Sequence, residues 1–132
     1  MNPLVRVALL SATTVLIFDA TGSRVFGFPY TSLVFGSYLI YLGAGYFGAR
    51  AGRGVGAGIL AAAAAGLVDS TLGWLLSAGI GPGRPPAELA GNPGAVAAVV
   101  VLVTMLAGAI GFPGALAAHV TRSRPRSAAL LS

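Results

Sequence analysis

Four apolar runs, each long enough to cross a bilayer as a helix, leave this chain few folds to choose from. Crossing about 30 Å of hydrocarbon takes about 20 mainly apolar residues in α-helical form. The first run extends from about Leu4 to Ala20, with Arg6 near its start and Asp19 at its end. The second covers Tyr30 to Ala49 and follows Pro29, whose fixed φ suits the first turn of a helix. The third, roughly Gly54 to Ile80, is almost entirely small and apolar, and the fourth opens at Asn92-Pro93, a good cap and first-turn pair, and reaches about His119. None of the runs alternates with period two, and all are too long for strands of a membrane barrel.

Composition agrees. Of 132 residues, 56% are hydrophobic and 8% charged, whereas a water-soluble domain carries about a quarter charged residues. We therefore expect an all-α membrane protein, an antiparallel bundle of four transmembrane helices. It forms one domain over residues 1–120, followed by a basic, poorly ordered tail over 121–132. The first run could also be read as a signal peptide cut after Gly22. A single basic residue before the apolar core and the acidic Asp19 beside that site favour retention.

The arginines give the orientation. One side receives Arg6, Arg50, Arg53, Arg122, Arg124 and Arg126; the other receives Arg24 and Arg84. Under the positive-inside rule both termini are cytoplasmic, and richness in Ala, Gly, Val and Arg suggests a bacterial cytoplasmic membrane. The connection from Gly81 to Gly91, with Pro82, Pro85 and Pro86, reads as a turn-rich outer loop with a brief helical turn near Glu88.

Much chemistry is excluded. The chain has no Cys, so disulfides, iron–sulfur clusters and thiol catalysis are absent, and no Lys, so no Schiff base can form. No phosphate-binding loop is present, and one histidine, His119, is too few for a metal or haem site in this chain. No cofactor, metal or nucleic-acid partner is expected. His119 leaves the membrane opposite both aspartates, so no Ser–His–Asp set can assemble and enzyme activity is not expected. Arg122, Arg124 and Arg126 could instead hold anionic lipid head groups, each near-surface Arg being worth about 1 kcal/mol.

Two features remain. Gly54, Gly58, Ala62 and Gly66 form a ladder at spacing four on the third helix, and such a ladder admits another helix very closely. The partner could belong to the same chain or to another copy. Asp69 projects within the arc of that ladder, about 22 Å along the helix from Gly54, inside the outer half of the hydrocarbon. An ionisable group there costs about 3 kcal/mol on insertion scales unless paired or protonated. Tyr38 and Tyr41 on the second helix, Thr104 on the fourth, and Arg24 are candidate partners. Asp19 lies equally far from the start of its own helix, so the two carboxyls could meet and share a proton or a cation. The plainer alternative makes Asp19 a solvated helix end and Asp69 a hydrogen-bonded structural residue. A short echo, Phe18-Asp19-Ala20-Thr21 against Val68-Asp69-Ser70-Thr71, would follow from a duplicated hairpin or from chance.

The expected role is non-enzymatic. The chain would be a small membrane subunit or scaffold that associates with lipids and with copies of itself or a larger complex. The alternative is a small channel or an ion- or proton-coupled transporter using Asp69.

Overall fold

The computed structural model describes residues 1–28, 30–80 and 91–123. The elements in chain order are α1 (Pro3–Arg24), α2 (Tyr30–Gly52), α3 (Val55–Val68), a π-helical turn (Asp69–Gly73), α4 (Trp74–Ile80) and α5 (Pro93–Ser123). Among the described residues there is no strand. Four helical stretches are long and apolar enough to cross a membrane: Pro3–Arg24, Ser32–Gly52, Val55–Leu76 and Pro93–Arg122. The third runs through α3, the π turn and the start of α4. The chain thus has the helices of a multi-pass membrane protein. The expected outer loop over 81–90, with Arg84 and the turn near Glu88, lies outside the described residues, as do Pro29, Arg124 and Arg126.

Helix ends follow local chemistry. Asn2 Oδ1 accepts from the Leu4 N–H at 2.9 Å ahead of Pro3, and Asn92 Oδ1 accepts from the Ala95 N–H at 3.1 Å ahead of Pro93. Each side chain satisfies one of the donors that a helix start leaves without a partner. Between α2 and α3 the turn is tight: Arg53 sits at φ 59°, and the Gly54 N–H reaches back to the Ala49 carbonyl at 3.2 Å. This is the hydrogen-bonded C-terminal motif that glycine usually serves, here built on an arginine. α1 runs one turn past its expected end at Ala20, to Arg24, and α5 continues through Pro113.

The interior is made of small residues and the exterior of large ones. Ala44, Ala61, Ala62, Ala65, Ala107 and Ala115 are buried, whereas Leu10, Phe35, Leu39, Leu60, Leu102 and Met105 are exposed. Lipid is as apolar as leucine, so large side chains gain nothing by turning inward, while small ones allow backbones to meet. α2, α3 and α5 meet most extensively, and α1 lies against α2, α3 and α4. A Cβ added at Gly58 would overlap the Gly45 carbonyl and lie 2.6 Å from the Ala115 methyl. One at Gly66 would overlap Ala107, one at Gly111 would overlap Ala62, and one at Gly114 would overlap the Leu42 carbonyl. Gly48 stands the same way against Ala61, at 2.6 Å. Of the expected ladder, then, Gly58, Ala62 and Gly66 meet α2 and α5 of the same chain. Gly54 does not: it precedes the helix in extended conformation, with open space where a Cβ would be.

Candidate functional site

The carboxyls of Asp19 and Asp69 lie together inside the helices. Asp19 is 0% exposed and Asp69 2%. A Cβ on Gly73 would sit 2.6 Å from Asp19 Oδ2 and 2.9 Å from Asp69 Oδ1, so the missing side chain at Gly73 leaves the space in which the two acids meet. They are within hydrogen-bonding reach of each other. Carboxylate oxygens only accept, so that contact becomes a hydrogen bond only when one acid carries a proton. Neither Asp19 oxygen accepts a hydrogen bond from any donor among the described residues. On its far side Asp69 accepts through Oδ2 from the Tyr41 hydroxyl, and Tyr41 is 2% exposed.

The backbone beneath the pair is unusual. From Asp69 to Gly73 the helix widens to a π turn, and the Trp74 N–H donates to the Asp69 carbonyl five residues back. Single π turns inside α-helices frequently mark functional sites. Hydroxyls accompany the widened turn: Thr71 Oγ1 donates to the Leu67 carbonyl at 2.6 Å and approaches that of Val68 at 3.3 Å, and Ser70 Oγ donates to Leu67 at 3.2 Å. Side-chain hydroxyls of this kind let a membrane helix depart from regular geometry without bare carbonyls. The turn falls on the polar run Asp69-Ser70-Thr71 and on Gly73.

A crevice of about 100 Å³ reaches Asp69 from between α2 and α5. Val34, Ser37, Tyr38, Tyr41, Val103 and Leu106 line it, with Asp69 at its polar end. The Tyr38 and Tyr41 ring centroids are 6.4 Å apart and tilted by 44°. All four residues singled out for ion or proton chemistry, Asp19, Asp69, Tyr38 and Tyr41, are thus brought to one place. Thr104 goes elsewhere: its hydroxyl donates to the Val100 carbonyl at 2.7 Å, and it lines a different groove with Ile59 and Met105. Arg24 is exposed at the end of α1.

At the opposite end of the helices, Arg122 Nη2 donates to the Arg50 carbonyl at 2.7 Å, and Arg50 donates to the Tyr46 hydroxyl at 3.1 Å while lying over its ring. Arg122 is therefore engaged as a cap on α2. His119 is exposed.

Among the described residues no group of three or more His, Cys, Asp or Glu side chains gathers. What the two carboxyls can hold between them is a proton or one monovalent positive charge. Comparison with protein families, curated proteins and solved structures finds nothing that matches this chain.

Proposed function

We propose that this chain is a small membrane transport protein that binds and releases a proton or a monovalent cation at the Asp19–Asp69 pair. One observation carries the reading: two carboxyls lie side by side at full burial, and Asp19 accepts from no donor among the described residues. Two negative charges there would repel each other and lose their hydration, so the pair needs a positive charge that can come and go. The same groups as mere structure would be replaceable by apolar side chains at no loss, since a half-satisfied buried polar cluster is worse than an apolar one.

The reading assumes an antiparallel bundle in the cytoplasmic membrane with both termini inside. Contacts that step back along α2 as they advance along α3 support the antiparallel arrangement: Gly52 meets Ala57, Gly45 meets Gly58, and Tyr41 reaches Asp69. Arg6 near the start of α1, Arg50 and Arg53 at the end of α2, and Arg122, which donates to the Arg50 carbonyl, support the orientation.

A second reading is a subunit or scaffold that works by association through its outer apolar residues, although contact with lipid accounts for these equally well. Its weakness is that Gly58, Ala62 and Gly66 are already covered by α2 and α5, so a partner would have to use another face.

The test is flux in proteoliposomes, first with a pH gradient and then with monovalent cations. Wild type should conduct or exchange, and Asp69→Asn and Asp19→Asn should assemble normally yet lose flux. No flux from wild type under any of these conditions would sink the transport reading and leave the scaffold.

A further inference from the structure

We propose that the crevice between α2 and α5 is a binding site for a small alkylammonium ion, which displaces the proton held by the Asp19–Asp69 pair. This rests on the transport reading of the pair and names the class of cargo.

The walls of the crevice argue against a bare inorganic ion. Val34, Val103 and Leu106 contribute no oxygen, and stripping water from a small metal ion requires a cage of oxygens. They suit an alkyl group. The polar lining of the crevice comes from Asp69, Tyr41, Tyr38 and the buried Ser37, side chains whose oxygens can receive the N–H donors of an ammonium. Two tyrosine rings stand beside it, and aromatic faces attract cations most strongly where water is excluded. Carboxylate, ring faces and aliphatic wall in one crevice are the complement of an organic cation.

Size narrows the class. An apolar protein cavity of about 150 Å³ accommodates benzene, so about 100 Å³ suits an amine with about three or four carbons. Such an amine is protonated at neutral pH, with a pKa near that of lysine, about 10.4. The titratable groups facing Asp69 are Asp19 from α1 and Tyr41, with Tyr38 beside it, from α2; α5 contributes Val103 and Leu106. Asp19 keeps the second carboxyl next to the site, so an arriving ammonium replaces a proton without changing the net charge of the cluster.

The experiment is calorimetric titration of n-butylammonium into the full chain in nanodiscs of neutral phospholipid, with n-butanol as an uncharged match in shape. Butylammonium should bind saturably, at least tenfold tighter than butanol, and more weakly as the pH is lowered and protons compete. Tyr38→Leu should weaken it about tenfold and Tyr38→Phe should restore it, because the ring face and not the hydroxyl is used. Leu106→Trp, at a partly exposed position, should fill the crevice and abolish binding without touching the carboxyls. Equal binding of butanol, no effect of Tyr38→Leu, or no butylammonium binding by wild type overturns the proposal. Proton flux that persists without ammonium binding removes the cargo and keeps the transport reading. Ammonium binding without flux of any kind keeps the binding site and overturns the transport reading.

Discussion

Tyr41, midway along α2, donates its hydroxyl to Asp69 Oδ2, while the other oxygen of Asp69 faces Asp19 across the gap at Gly73. One carboxyl therefore joins three helices: α1 through its acidic partner, α2 through a phenol, and the span of α3 and α4 through its own backbone. Removing the phenol hydroxyl should be felt as stability. Tyr41→Phe leaves a buried acceptor without its donor, which costs about 1–3 kcal/mol. Thermal unfolding in mild detergent should show a clear drop, and unchanged stability would mean the hydroxyl is idle.

Gly73 makes a separate prediction. Gly73→Ala inserts a methyl carbon 2.6 Å from Asp19 Oδ2 and 2.9 Å from Asp69 Oδ1, so the carboxyls must part. The helix itself gains, since alanine is the better helix former by about 1 kcal/mol. Helical content by circular dichroism should therefore persist while flux in proteoliposomes falls. Full flux in a folded Gly73→Ala variant would show that contact between the acids is dispensable.

How much of this was legible in the sequence differs from element to element. The four spans were, because the hydropathy of a run about 20 residues long reports directly on its solvent, and Asn92-Pro93 marks a helix start by its own chemistry. Counting residues from each helix start also put Asp19 and Asp69 at one depth, which is a matter of helical rise. The burial of Asp19 was harder to read. Thr21-Gly22-Ser23 looks like the end of a helix, yet α1 continues to Arg24, and Leu33 of α2 fills the room at Gly22. Spacing alone groups Gly54 with the ladder, but it is the residue before the helix. The π turn was not legible, because widening one turn depends on how carbonyls are shared and leaves hydropathy unchanged.

The small-residue contacts can be probed by bulk. Gly58→Leu and Gly66→Leu would drive a side chain into α2 and α5, where over-filling costs about 1–3 kcal/mol or more. Leu67→Ala changes a half-exposed position on the outer face and should do less. Unfolding temperatures in detergent give the comparison, and equal tolerance at all three positions would reduce the ladder to composition.

Orientation is checked by a reporter active only outside the cytoplasmic membrane, fused after Arg126. With both termini inside it should be silent, whereas fusion within the loop over 81–90 should be active. The reverse pattern would overturn the reading of the arginine distribution.

The carboxyl pair allows one prediction that separates function from structure within a single measurement series. In a protein built for stability, replacing a member of a well-made buried cluster is destabilising. In a site kept for binding a charge, the empty cluster is strained, and relieving it should stabilise. Asp19→Asn replaces an acid that accepts from no donor among the described residues with an amide whose N–H can donate to Asp69. It also removes the repulsion between two acids in contact. The variant should unfold at a higher temperature than wild type, with a gain of about 1–2 kcal/mol. Transport should nevertheless be lost, because the cluster can no longer exchange its positive charge. Asp69→Asn should lose transport too, but with a smaller gain in stability, because Asp69 already has the Tyr41 hydroxyl as a partner. A fall in stability for Asp19→Asn with transport intact would make the pair structural.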